Sequence, residues 1–318
     1  HAFEAAPDTG DFAWMHLDNP DLFGTDAFVT RVHIGTPEAS TPIALEATDD
    51  GNSIAAIRDQ RIEATARYVC GTFRGVVDFD ALHAHRVVET PTSNGFVARY
   101  DASGALVWLS TMTAESGSSC DGLAVSADGT LSATGGFGGI AFVQTDGEPV
   151  PGQLTSWGDS DTYLLAWDSL GTLRANAHFG GPGSYTFPNR IEAFDDGTLA
   201  ITGSFVGTLT HGFAGTLARS SNGGYNDAFV IIVGNDLTTR YFGQLGFDIG
   251  ATFLTPLQAI APMQIEAIAQ MALPYGGNSS LDYALPPEHA LLHSGTWASA
   301  YVRYDLDTVL DDGFEAAP

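Results

Sequence analysis

Lysine is absent from this chain. All 12 basic residues are arginines, set against 38 acidic residues, for a formal net charge of −26 and an isoelectric point near 4.3. A field of that sign repels phosphate backbones and anionic lipid surfaces, so nucleic-acid and membrane-surface roles are disfavoured. Cysteine is scarce: the two residues, Cys70 and Cys120, sit in no Cys-x-x-Cys or Cys/His cluster of the kind that holds metal or runs redox chemistry. Long apolar runs are missing as well. The weakly charged stretch 253–275 is broken by three prolines, three glutamines and Glu266, which excludes a spanning helix and membrane insertion.

What is present is glycine and proline, 37 and 15 residues, in a chain of 318 that is 44% apolar. That is enough chain for a sizeable core, and the turn-forming residues favour many short strands over long helices. The sequence starts at His1 with no charged-then-apolar leader, which fits a secreted, extracellular or cell-surface protein whose signal peptide has been removed. In that setting Cys70 and Cys120 are expected to form a disulfide, the alternative being two buried thiols.

Internal repeats carry most of the information. One unit, an aromatic residue opening a β-rich run, occurs as Ala27-Phe28-Val29-Thr30-Arg31-Val32, Gly95-Phe96-Val97-Ala98-Arg99-Tyr100-Asp101, Thr162-Tyr163-Leu164-Leu165-Ala166-Trp167-Asp168, Ala228-Phe229-Val230-Ile231-Ile232-Val233 and Ala300-Tyr301-Val302-Arg303-Tyr304-Asp305. Its aromatics at 28, 96, 163, 229 and 301 are 68, 67, 66 and 72 residues apart. A second unit lies between copies of the first. It is Ser126-Ala127-Asp128-Gly129-Thr130-Leu131 running into Thr134-Gly135, and again Asp196-Gly197-Thr198-Leu199 running into Thr202-Gly203. Cys70-Gly71-Thr72-Phe73 is a third ending of this kind, and Tyr275-Gly276-Gly277 a decayed fourth. Asp-Gly between apolar runs signals a hairpin, so each period holds two hairpins, or four antiparallel strands.

These phrases resemble the β-propeller repeats of secreted bacterial proteins, over roughly residues 26–305. The resemblance implies an all-β ring in which the phrase before Thr-Gly supplies two inner strands and the aromatic hairpin two outer ones. It carries no catalytic residues. The chain departs from it in insertions near 76–94, 140–160, 208–226 and 276–297. The aromatic unit occurs five times, so five blades are expected, with the missing inner hairpin supplied by the first residues and four blades with a split terminal blade as the alternative. Residues 1–311 then form the propeller, and 312–318 a tail. That tail repeats the start of the chain: Phe314-Glu315-Ala316-Ala317-Pro318 is identical to Phe3-Glu4-Ala5-Ala6-Pro7.

Motifs for chemistry are weak. There is no Gly-x-Ser-x-Gly elbow, His-Glu-x-x-His or P-loop, so neither catalysis nor a cofactor is expected. His83 and His85 would share a strand face and His289 and His293 a helical turn, each lacking a third metal ligand. Glu4, Glu63, Glu192 and Glu266 are candidates to line a central channel, as in propeller glycoside hydrolases, but catalytic carboxylates are normally unique rather than repeated. Asn278-Ser279-Ser280 matches a glycosylation acceptor, and acidic turns such as 49–51 fit Asx turns better than calcium loops. Three functions follow in order. The first is a filament subunit whose partner is another copy of itself, joined through the two pentapeptides by strand addition. The second is a glycan- or protein-binding propeller, suggested by Trp157, Tyr225 and Trp297 in the insertions. An enzyme comes last.

Overall fold

The computed structural model describes backbone and side chains at residues 26–27, 42–48, 52–63, 65–213, 215–221 and 225–245, and backbone alone at 28–29, 246, 251–261, 264–272, 282–283 and 297–305. Among these residues every regular element is a β-strand and every pairing between strands is antiparallel, as the composition predicts. Strands β1 (Ala27–Val29) and β2 (Ile43–Ala47) form a hairpin. A first four-stranded unit follows, made of β3 (Ile54–Ile62), β4 (Ala66–Asp78), β5 (Val87–Asp101) and β6 (Leu106–Ala114). The second unit has β7 (Gly122–Val125) and β8 (Leu131–Phe137), then an insertion carrying β9 (Ile140–Thr145), β10 (Glu148–Pro149) and β11 (Leu154–Thr155), then β12 (Asp161–Trp167) and β13 (Leu173–Phe179). The third has β14 (Tyr185–Ala193) and β15 (Leu199–Val206), the inserted hairpin β16 (Thr208–Gly212) and β17 (Gly215–Ser220), then β18 (Asp227–Val233) and β19 (Thr239–Gly246). Beyond them β20 (Ala251–Ala261), β21 (Gln264–Ala272), β22 (Asp282–Tyr283) and β23 (Trp297–Asp305) follow, with β20-β21-β23 a three-stranded sheet and β22 paired to β19.

Hydrogen-bond order within the second unit is β13-β12-β8-β7, and the third begins β14-β15-β18-β19. Each is two hairpins joined in sequence, the aromatic hairpin following the Thr-Gly hairpin, as the repeats predict. Four of the hairpin turns share one geometry with glycine at the same place. In 126–130 the Gly129 N–H bonds the Ser126 carbonyl and Ser126 N–H the Thr130 carbonyl, with Gly129 at φ +83°. The 101–105, 168–172 and 194–198 turns repeat it, with glycine at the left-handed position. This is a type I turn closed by a left-handed residue, which glycine enters without a Cβ penalty.

Glycine in the Thr-Gly pair has a different cause. A Cβ on Gly71, Gly135 or Gly203 would stand 1.9 Å from the Ala56 carbonyl oxygen, 1.9 Å from that of Ser119 and 2.3 Å from that of Phe187. In each unit the backbone leading into or along the first strand crosses the second at this point, and only hydrogen fits.

The units pack face to face. Tyr163, Leu165 and Trp167 of β12 join Tyr68, Val97, Trp108 and Met112 of the first unit in one core, where Trp108 and Trp167 stack at 6.3 Å. Leu164, on the opposite face, joins Phe179, Ile201, Phe229 and Ile231 in the seam with the third unit. Both faces of β12 are thus buried, which is why it reads as an unbroken apolar run rather than an alternating one. A third core joins Ile43 and Leu45 of β2 to Phe73, Phe79 and Phe96. The first strands of successive units, β3, β7, β14 and β20, lie side by side. Within 253–275, excluded above as a spanning helix, residues 253–261 and 264–272 lie in strands β20 and β21, which pair antiparallel.

Candidate functional site

Side-by-side first strands bring together charges that are far apart in sequence. Asp59 on β3, its side chain 4% exposed, accepts from Arg61 Nη1 at 3.1 Å and forms an ion pair with Arg190 Nη1 at 2.9 Å. Its other oxygen accepts the Leu123 N–H of β7 at 2.9 Å. Arg61 Nη2 reaches on to Glu192 of β14 at 3.1 Å and to the Ile191 carbonyl. Burial raises the Glu192 carboxyl above its ordinary value, while Arg61 and Arg190 pull the other way. Two carboxylates and two guanidiniums therefore lace three first strands into a belt. Of the four glutamates singled out in the sequence only Glu192 is placed in it. Glu63 is exposed in the β3–β4 turn, and the side chains of Glu4 and Glu266 lie outside the described residues.

The end of the units opposite the Asp-Gly turns carries the insertions 138–160 and 207–226. Here Trp157 is held between two imidazoles, His178 at 3.9 Å and His211 at 4.1 Å between ring centroids, with planes 20° and 11° from parallel. Asp161, the first residue of β12, has a side chain with no exposure and accepts the N–H groups of Trp157 at 2.8 Å and Gly158 at 3.0 Å. The carboxylate thereby fixes the loop that presents the tryptophan. Burial pushes the Asp161 carboxyl up to about 6, against the loop N–H groups that favour its ionised form. His178 is pushed down to about 4, chiefly by burial, with its Nε2 3.0 Å from the Thr155 carbonyl and 3.6 Å from Asp161.

Beside this loop, Tyr185 and Phe187 project from the start of β14, 42% and 44% exposed, their rings 6° from parallel with centroids 6.3 Å apart. Asp159 lies beside this pair, its N–H bonded to the Ser184 carbonyl at 2.9 Å, and its carboxylate raises the Tyr185 phenol above its usual value. Sequence reasoning missed this pair. The available signal was Tyr-Thr-Phe at the head of a first strand, where the Gly203 and Gly135 crossings match Phe187 with Ser119.

Several expectations need correction. Trp157 is 39% exposed, but both ring faces are covered by imidazoles, so it offers a ligand its edge and no stacking face. Tyr225 is exposed at the same end, and the side chain of Trp297 lies outside the described residues. His83 and His85 lie in the 79–86 turn rather than on a strand, and each pairs with its own aspartate, Asp80 and Asp78. Among the described residues no group of three His, Cys, Asp or Glu is arranged to hold a metal ion. The expected disulfide is not formed: Cys70 and Cys120 meet in the seam between the first two units as free, fully buried thiols. Burial, then the Cys120 thiol hydrogen-bonded to it, pushes the Cys70 thiol well above its usual range, so the thiolate that disulfide exchange requires is suppressed. Phe3, Glu4, Ala5, Ala6 and Pro7, and Phe314, Glu315, Ala316, Ala317 and Pro318, all lie outside the described residues. No protein-family model matches the chain, and no curated protein matches it.

Proposed function

We propose that residues 1–311 form one five-bladed β-propeller, extracellular and non-catalytic, that binds an extracellular ligand with the rim carrying its insertions. Consecutive four-stranded meanders with packed faces and adjoining first strands support the ring, and the sequence resemblance to secreted propeller repeats points the same way. In this reading β1–β2 is the outer hairpin of a blade whose inner hairpin is residues 1–24, and β20, β21 and β23 belong to the last blade. The observation that carries the binding reading is the convergence of two long insertions on one rim, anchored by the fully buried Asp161 and presenting the edge of Trp157 and Tyr225 beside Tyr185 and Phe187 of β14. Electrophoresis through gels containing a neutral glucan, a polyanionic polysaccharide or a denatured-protein matrix tests it. The native chain is retarded by one matrix, Trp157→Ala/Tyr225→Ala removes the retardation, and Leu170→Ala on the opposite rim leaves it intact. Passage unretarded through all three, or equal loss from Leu170→Ala, overturns the reading.

A second reading rests on the identity of residues 3–7 with 314–318. Two copies of one phrase fit one kind of groove, so segment 312–318 of one subunit adds as a strand to the body of the next. Main-chain hydrogen bonds would give affinity, and the alternate side chains Phe314 and Ala316 would set register. Such a head-to-tail contact propagates as a fibre. Electron microscopy shows fibres for the full chain and none after deletion of 312–318 if this holds; equal fibre formation by both defeats it.

A further inference from the structure

The rim reading leaves open what the rim recognises, and the Tyr185–Phe187 pair narrows the chemistry. Exposed aromatic side chains usually turn one face to the protein, yet these two are about as exposed as each other, parallel within 6°, and held at i and i+2 on a paired strand rather than on a loop. Strand pairing of Tyr185 with Val206 and Phe187 with Ser204 fixes both backbones, so no loop has to be ordered when a ligand settles on the rings. Asp159 is set beside Tyr185 by its own N–H on the Ser184 carbonyl and by the Ser160–Tyr185 bridge. A carboxylate beside two parallel aromatic faces suits a ligand with a flat apolar face and hydroxyl donors at its edge. Charge removes the competing classes: a chain of net charge −26 with Asp159 at the site repels polyanions, and no described cation contacts the pair.

We infer that Tyr185, Phe187 and Asp159 form a binding subsite for a neutral pyranose oligosaccharide, the two rings stacking on sugar faces and the Asp159 carboxylate accepting from a sugar hydroxyl. The inference rests on the rim-binding reading and specifies its ligand. Isothermal titration of the full chain with cello-, xylo-, manno- and chitohexaose tests it. One of these binds, Tyr185→Ala and Phe187→Ala each weaken that binding by up to about tenfold, and Asp159→Asn weakens it while Tyr185→Phe, which keeps the ring, costs less than Tyr185→Ala. Affinity changes little with added salt, as expected for an uncharged ligand. Thermal melts of the variants match the parent, because all three side chains are at the surface. The inference falls if none of the four sugars binds, or if the double variant Tyr185→Ala/Phe187→Ala binds as tightly as the parent. Should a polyanionic or protein matrix retain the chain through Trp157 and Tyr225 while no neutral sugar binds, the rim reading stands and this one falls. If nothing is retained and nothing binds, both fall together.

Discussion

Gly129 and Gly135 are six residues apart and are glycine for unrelated reasons. At Gly129 the backbone is left-handed, φ +83°, with open space around an added Cβ. Alanine there costs only the conformational strain, about 1 kcal/mol. At Gly135 an added Cβ would meet the Ser119 carbonyl oxygen at 1.9 Å and the Tyr163 hydroxyl at 2.7 Å, so two strands must part. Overpacking against backbone costs about 3 kcal/mol or more. Urea unfolding should therefore rank Gly135→Ala well below Gly129→Ala, and equal losses would refute the crossing argument. Asp161 and His178 allow a test by pH. The folded Asp161 is raised to about 6, so the stability it contributes is present at low pH and lost as pH rises through about 6. His178 is lowered to about 4, so its contribution is present above the ordinary imidazole range and lost as pH falls toward about 4. Between pH 6 and 4 the two oppose each other. Replacing Asp161 with Asn leaves the histidine loss uncompensated, and the urea midpoint of that variant should fall faster on acidification than the parent's. A parallel decline would show that the two groups do not offset one another.

Four of the five repeat aromatics are preceded by the same device. Asp26, Asn94, Asp161 and Asp227 stand two residues before the repeat aromatics Phe28, Phe96, Tyr163 and Phe229. Asp26 accepts the Ala47 N–H at 2.9 Å and Asn94 the Ala114 N–H at 3.1 Å, in each case from the end of the following strand. Asp227 accepts from the Gln244 side chain at 2.6 Å, and Asp161 has been turned to the insertion loop instead. A buried side-chain acceptor here ties the last strand of a unit where its ladder runs out. Asn94→Ala removes that acceptor and the donors to Thr90 and Thr92, and should cost about 2 kcal/mol by urea unfolding. A loss no larger than that of an exposed alanine substitution would refute the anchor. These positions were visible in the sequence at the same 68, 67 and 66 residue spacing as the aromatics. They went unread because a polar residue beside a strand looks like an ordinary turn until its buried partner is seen.

Across the molecule the units are held by apolar seams and by the charged belt. Asp59 receives Arg61, Arg190 and the Leu123 N–H from β3, β14 and β7, so one carboxylate serves three first strands. Asp59→Ala takes an acceptor from Arg190 and from the buried Leu123 N–H, while Arg61 keeps Glu192, and about 3 kcal/mol of stability should go with it. Asp59→Asn keeps the acceptor oxygen for Leu123 and should cost less. If the two variants are equally stable, the belt is ornamental to the fold. The same arrangement bears on catalysis: Asp59 and Glu192 are each engaged by guanidinium, which suits a lock between strands better than a free acid and base.

Period, strand order and turn positions were legible in the chain because they depend on neighbours: Asp-Gly closes a hairpin locally, and alternating or continuous apolar runs fix which strand faces are buried. The four-strand unit and its internal order followed from that alone. Packing between units decided the rest. Arg61 and Glu192 are 131 residues apart and meet only because first strands of separate units adjoin. Trp157 has its faces covered by residues from β13 and β16, which no local pattern could announce. Cys70 and Cys120 do not form the disulfide expected from the sequence: they are free thiols in the seam between units, where burial raises the Cys70 thiol. Tyr185 and Phe187 became candidates only once the β14 pairing set both on one strand face and the adjoining loop brought Asp159 beside them.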